Sequence, residues 1–130
     1  MTQEEEKNLL LKDLCSRLPY GVRYRHFTWN DEYGETYIAA QIYSINTDGY
    51  VKNCYDDETV YIDNVRLYLF PLSSMTEEQK KEYQYITERW MNDPAYSISD
   101  SIDWLNKNHF DYRGLIEKGL AIDATGLNIY

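Results

Sequence analysis

The chain has 130 residues, 43% of them hydrophobic, and a formal net charge of -9 at pH 7. This length fits one ordinary domain with a real core, and the apolar content argues against disorder. Acidic residues are spread over both halves of the chain, which disfavours binding to nucleic-acid phosphates and to anionic membranes. With no signal-peptide pattern and no apolar run near the ~20 residues of a membrane span, we expect a cytoplasmic protein.

The N-terminal part, residues 1–19, is predicted to be a helix over about 4–17. Three glutamates, Glu4 to Glu6, lie where the positive end of the helix dipole favours them. Leucines then recur at the spacing of one buried helical face. Pro19 ends the helix.

The middle part, residues 20–72, alternates polar and apolar positions as strands do. Val22, Tyr24 and His26 share one face of the first strand. A hairpin loop is expected at 30–34 and a second turn at 46–49. The remaining predicted strands are 37–45, 50–55, 59–62 and 65–70. Their regular spacing indicates a five-stranded antiparallel meander or a small, partly closed barrel.

The C-terminal part, residues 73–130, is predicted to hold two or three helices. Thr76 and Gln79 have the spacing of a capping box, and the helix that follows should end at residues 92–94. A second helix is expected over about 99–107, with Asn108 as a left-handed stop. Asp111 could cap a third helix over 112–118, closed by Gly119. Residues 120–123 alternate weakly and could join a sheet edge.

One short segment carries the sharpest chemical signal. His109 and Asp111 are two residues apart, a spacing that suits a metal or a base with its orienting carboxylate. The other histidine, His26, is far away in sequence, so a metal site would be incomplete. We favour a tight connection in which Asp111 caps a helix and Arg113 pairs locally. We therefore predict no catalytic residue, no metal and no cofactor, while a small hydrolase centred on His109 and Asp111 stays open as an alternative.

Cysteines and acidic clusters carry weaker signals. Cys15 lies in the leucine-rich helix and is expected to be packed rather than reactive. Cys54 precedes an acidic turn, and two unpaired thiols in a reducing compartment are favoured over a disulfide. The acidic clusters suit helix starts and loops. A second alternative is a DNA mimic, in which carboxylates imitate phosphates to inhibit a nucleic-acid-binding enzyme.

The chain has fourteen tyrosines and three phenylalanines. Six of the tyrosines fall on or beside predicted strands: Tyr37, Tyr43, Tyr50, Tyr55, Tyr61 and Tyr68. Because one face of a sheet packs on helices and the other faces water, several of these rings should be exposed. Exposed Tyr and Trp suit protein recognition, although cross-strand aromatic pairs also stabilise sheets without a partner.

Three stretches form a distinctive set: residues 14–22, 70–78 and 103–116, which read LCSRLPYGV, FPLSSMTEE and DWLNKNHFDYRGLI. Taken together, they resemble a family of small uncharacterised proteins of Bacteroidales bacteria and their phages or mobile elements. The resemblance implies an intracellular setting and a possible phage or mobile-element origin. It implies no activity and no functional residue, and the strand region 23–55 is the variable part.

These observations predict one α+β domain whose function is binding rather than catalysis. The leading hypothesis is an accessory or regulatory module that binds another protein, with no direct binding to nucleic acid or membranes. Its predicted contact residues lie on the sheet and its first hairpin loop: Trp29, Tyr33, Tyr37 and Tyr43.

Overall fold

The structure, a computed structural model, describes residues 1–32, 34–93 and 98–130. The first helix, α1, spans Gln3–Arg17 and begins at Thr2, whose side chain accepts a hydrogen bond from the Glu5 amide. Leu10 and Leu14 of this helix are buried in the main core. The predicted N-terminal helix is therefore confirmed, and a 3-10 turn at Leu18–Tyr20 follows it.

Seven strands lie in the described ranges, and all five predicted ones are among them. They are β1 (Arg23–Asn30), β2 (Gly34–Ile45), β3 (Tyr50–Asn53), β4 (Thr59–Tyr61), β5 (Leu67–Pro71), β6 (Phe110–Asp111) and β7 (Ala121–Asp123). The order across the sheet is β4-β3-β2-β1-β5-β6, and β7 also pairs with β5. The first four strands are joined as antiparallel hairpins, and β5 returns to lie antiparallel to β1.

Two features of the sheet differ from the prediction. First, β6 and β7 pair parallel to β5, so the sheet is mixed and the C-terminal part contributes strands to it. Second, the sheet is open, because β4 and β6 lie at opposite ends of the strand order in the described residues. The partly closed barrel is therefore wrong. The weak alternation at 120–123 was a correct sign of an added strand.

Two helices follow the central strands. Helix α2 spans Glu77–Asn92 and has the predicted capping box between Thr76 and Gln79. Helix α3 spans Ile98–Lys107. The predicted end of α2 includes Pro94, which lies outside the described residues. The left-handed residue after α3 is His109, at φ 63°, and not Asn108 as predicted.

The predicted third helix is wrong. Residues 115–119 form turns instead of a helix. The Asp111 carboxylate still accepts hydrogen bonds from the amides of Leu115 and Ile116. Gly119 adopts φ 72° at the end of the turn, which suits a residue without a Cβ. Asp111 therefore accepts backbone amides as a cap does, but these hydrogen bonds hold a turn and not a helix.

The buried face of the sheet packs against α1. The main core joins Leu10 and Leu14 to Val22, Ile42 and Ile62. A second cluster of Trp104, Leu105 and Phe110 packs against α2 and the end of β5, with these partly buried residues: Phe70, Met75, Tyr83, Ile86 and Tyr112. The side of β1 and β2 that faces away from α1 is left to solvent.

Both cysteines are exposed and unpaired. The absence of a disulfide agrees with the prediction, but the packed position of Cys15 is wrong. Cys15 follows the buried Leu14, and successive residues of a helix point about 100° apart. Cys15 is consequently turned away from the core.

Candidate functional site

The hairpin of β1 and β2 exposes four large aromatic side chains on one face. We call Phe27, Trp29, Tyr37 and Tyr43 the aromatic face; their exposed fractions range from 43% to 66%. Alternation along each strand places them opposite the core, and the register sets Phe27 against Tyr37. Tyr33, the fourth predicted contact residue, lies outside the described residues. The structure brings the three described ones, Trp29, Tyr37 and Tyr43, onto this hairpin.

Contacts within the aromatic face order its rings. Phe27 and Tyr37 meet edge to face, with ring centroids 5.7 Å apart. The Arg25 guanidinium lies 5.0 Å from the centre of the Tyr37 ring. The indole nitrogen of Trp29 donates to a carboxylate oxygen of Asp31 at 3.3 Å. Neighbouring side chains hold these rings in place, and Trp29 and Tyr37 still present more than half of their area to solvent.

The other strand tyrosines divide between surface and core. Tyr50 and Tyr55 are exposed, whereas Tyr68 is buried and Tyr61 packs partly against the core. The expectation that several phenol rings stay exposed is confirmed, but it does not hold for every member of the predicted set.

The segment at His109 and Asp111 has the geometry of a cap. Both oxygens of Asp111 accept backbone amides at 3.0 and 2.9 Å. The His109 ring stacks on Tyr130 with centroids 3.6 Å apart. Arg113 donates to Asp13 of α1 at 2.7 Å, so the predicted local pairing of Arg113 is wrong.

The surroundings of His109 oppose a positive charge on its ring. Burial, together with the charges of Arg17 and Arg23, lowers the pKa of His109 to about 4. Its Nδ1 atom has no hydrogen-bond partner in the part of the chain that the structure describes. A neutral, stacked imidazole beside a carboxylate that is already used as a cap fits a structural role.

A second histidine site was missed by the sequence analysis. His26 on β1 is 2% exposed, and its Nε2 atom lies 2.9 Å from Asp56 Oδ2 and 3.9 Å from Glu58 Oε2. We call His26, Asp56 and Glu58 the His26 cluster. Their nearest ligand-type atoms all lie within 4.8 Å of one another. One imidazole nitrogen and two carboxylates are a donor set that can hold a divalent metal ion.

Neighbouring side chains orient the His26 cluster. The Tyr24 hydroxyl is 2.8 Å from His26 Nδ1, and it accepts a hydrogen bond from Asn53 Nδ2 at 3.0 Å. Asn53 also donates to Asp56 Oδ1, as does the Glu58 amide. These bonds direct Nε2 of His26 and Oδ2 of Asp56 toward each other.

The protonation states of Tyr24 and Asp56, the two hydrogen-bond partners of His26, follow from these contacts. Burial raises the pKa of Tyr24 to about 12, so its hydroxyl stays protonated. Partial burial acts to raise the pKa of Asp56, but hydrogen bonds from His26 and Asn53 outweigh it. The pKa of Asp56 is lowered below its usual value, and Asp56 is a carboxylate at neutral pH.

His26 and Glu58 line one surface depression of about 310 Å³, and Asp56 and Glu58 line a second one of about 320 Å³. Five other residues line the second depression: Thr28, Trp29, Thr36, Ile38 and Tyr55. Trp29 therefore belongs both to the aromatic face and to the rim of this depression. The two features are adjacent parts of one surface.

Sequence spacing concealed the His26 cluster. The alternation of β1 placed Tyr24 and His26 on one face of the strand, and Asp56 and Glu58 were visible as an acidic turn. His26 and Asp56 are 30 residues apart, and only the folding of β1 to β4 into one sheet brings them together. A buried histidine in a strand was the one available signal.

Comparisons with known proteins give no further guidance, since no family model, curated protein or solved structure matches the chain. Of the helices in the described ranges, none combines the length and apolarity that a membrane crossing needs.

Proposed function

We propose that the chain is a non-enzymatic accessory module that binds another protein through the aromatic face. The partner surface has a basic character. The intracellular setting and the mobile-element origin implied by the family resemblance remain part of this proposal.

The exposure of the aromatic face is the observation that carries the proposal. Phe27, Trp29 and Tyr37 lie close together on two paired strands, Tyr43 lies further along β2, and all four rings are 43% to 66% exposed. Trp and Tyr are the residues that most often dominate binding energies at protein interfaces. A rigid sheet also presents them at little cost in conformational entropy.

The charge around the aromatic face indicates the kind of partner. Asp31 and Glu35 are exposed at the hairpin beside Trp29, and Asp56 and Glu58 lie across the depression that Trp29 borders. The whole chain has a net charge of -9. Arginine and lysine side chains are attracted both to carboxylates and to aromatic ring faces. A basic partner segment satisfies both features.

The two alternatives have less support. The hydrolase requires His109 and Asp111 to converge on a substrate, but Asp111 is committed to two amides and His109 to stacking. The DNA mimic requires a face of uniform negative charge, whereas Arg25 lies among the rings of the aromatic face.

A peptide-library selection tests the proposal. Random peptides are displayed on phage and selected against the wild-type chain. Enriched peptides are then measured on Trp29→Ala/Tyr37→Ala and on a control, Tyr85→Ala, which removes an equally exposed ring on α2. Isothermal calorimetry gives the affinities, and circular dichroism verifies the fold of each variant.

We expect the enriched peptides to be rich in arginine or lysine. The double variant should lose at least ~30-fold in affinity, since interface hot spots contribute about 2 kcal/mol or more each. Tyr85→Ala should bind as the wild type does. Peptides without basic residues, or equal affinity for the double variant, would contradict the proposal.

A further inference from the structure

We propose that the His26 cluster is a binding site for a divalent transition-metal ion, with zinc as the preferred ion. His26 Nε2, a carboxylate oxygen of Asp56 and a carboxylate oxygen of Glu58 are the three protein ligands. This inference goes beyond the proposed protein binding and rests on different atoms.

The distances between the ligand atoms suit such an ion. Zinc binds imidazole nitrogen and carboxylate oxygen at about 2.0–2.2 Å, so tetrahedral ligands lie about 3.4 Å apart. The two separations from His26 Nε2, 2.9 and 3.9 Å, lie on either side of that value. The Glu58 side chain is 71% exposed and can rotate to close the longer gap. A rotation of the Glu58 side chain therefore brings all three protein ligand atoms to distances that suit one zinc ion.

Two of the ligands are supported by a second layer of hydrogen bonds. Metal-binding histidines usually use their other ring nitrogen in a hydrogen bond that orients the ring. Tyr24 provides this bond at His26 Nδ1, and Asn53 connects the Tyr24 hydroxyl to Asp56 Oδ1. Metal binding at Nε2 places the ring proton on Nδ1, where it is donated to the Tyr24 oxygen, and replaces the hydrogen bond from Nε2 to Asp56. The support extends over β1, β3 and the 53–56 turn.

The hydrogen-bond network by itself does not account for Glu58. A neutral imidazole has one N–H to donate from Nε2, and Asp56 takes it at 2.9 Å. Glu58 Oε2 stays at 3.9 Å, and among the described residues none donates a hydrogen bond to its carboxylate. Two carboxylates beside one imidazole nitrogen create a negative potential that favours a cation between them.

The donor set selects the class of metal. Imidazole nitrogen favours zinc and its neighbours in the transition series, whereas magnesium and calcium prefer oxygen ligands alone. Three protein ligands leave a fourth position of a tetrahedral ion open. Glu58 lines both surface depressions beside the cluster, which have room for water or a small ligand.

Calorimetric titration with zinc chloride tests the site at neutral pH in a non-chelating buffer. The full chain is compared with Glu58→Gln, Asp56→Asn and His26→Gln. The matched controls are Asp57→Asn, an exposed carboxylate in the same turn, and His109→Asn. Glu58→Gln is the decisive variant because its exposed side chain is the one least needed for folding. Magnesium chloride is titrated for comparison, because magnesium prefers oxygen ligands alone.

We expect one zinc ion per chain, and affinity reduced by more than about tenfold in each ligand variant. The two controls should keep the wild-type affinity, and magnesium should bind far more weakly. Failure of the wild type to bind zinc in a one-to-one ratio would overturn the site. So would equal zinc affinity of Glu58→Gln and Asp57→Asn, or magnesium binding as tight as zinc binding.

Discussion

The two histidines of the chain are both nearly buried, but the charges around them are opposite. His26 faces the carboxylates of Asp56 and Glu58 and lines a surface depression. His109 stacks on Tyr130 and lies near the positive charges of Arg17 and Arg23. The first arrangement attracts a cation, and the second repels one.

Proximity in sequence was a poor guide to which ionisable side chains interact in this chain. His109 and Asp111 are neighbours along the chain, yet their side chains serve separate structural contacts. His26 and Asp56 are distant along the chain and share a hydrogen bond. If this contrast holds, the region of His109 is structural and the region of His26 binds ligands.

The largest expected effect concerns the charged network beside His109. Asp13 is fully buried and pairs with Arg17 at 2.8 Å and with Arg113 at 2.7 Å. Asp13→Ala leaves the buried Arg17 without its carboxylate, which should lower the free energy of unfolding by about 3–5 kcal/mol. Urea unfolding measures this loss. Asp48→Ala, at an exposed turn, should cost less than about 0.5 kcal/mol. Similar losses in both variants would show that the network is not structural.

The next effect is the pH dependence that His109 produces. Its pKa of about 4 in the folded state lies below the ordinary 6.5, so the unfolded chain binds the proton first as pH falls. His109 therefore lowers the free energy of unfolding between pH 6.5 and about 4, by at most ~3 kcal/mol. His109→Asn, which tolerates the left-handed backbone, should remove this part of the slope. A constant stability difference between wild type and variant over that range would refute the assignment.

A pair of tyrosine variants separates the two regions. Tyr24→Phe removes the hydroxyl bonded to His26 and Asn53, and Tyr130→Phe removes the one bonded to Arg23 and Tyr68. Each should cost about 1–3 kcal/mol in the free energy of unfolding. Zinc affinity should fall by roughly tenfold in Tyr24→Phe alone. If Tyr130→Phe reduces zinc affinity as much, the effect is general destabilisation.

The smallest expected effect concerns the cysteine nearest the His26 cluster. Cys54 is exposed and follows Asn53 directly, but it is not among the three clustered ligand residues. Cys54→Ser should change the free energy of unfolding by less than about 0.5 kcal/mol and leave zinc affinity unchanged. A marked loss of zinc binding would mean that a thiolate, rather than Glu58, completes the site.

Local features of the fold were predictable because their determinants lie within a few residues. The capping box of Thr76 and Gln79 and the glutamates at the start of α1 are examples. The alternation of β2 also placed Tyr37 and Tyr43 on the face opposite Ile38 and Ile42, whereas Trp29, expected on the hairpin loop, lies within β1. These signals are read from the period of a single element.

Features that depend on distant pairing were not predictable. Strand β6 has two residues, too few for any alternation, and it exists because β5 is beside it. Asp111 has the sequence of a helix cap, but tertiary contacts leave the following segment as a turn. The His26 cluster needs the turn at 53–58 to fold back onto β1, which no local pattern specifies.

Histidine side-chain nitrogen NMR during a zinc titration tests the central claim most directly. Both rings are observed in one spectrum, and single variants assign the signals. The account predicts that the Nε2 signal of His26 shifts until one equivalent of zinc is added, while the signals of His109 stay in place. A shift at His109 first, or no shift at His26, would contradict it.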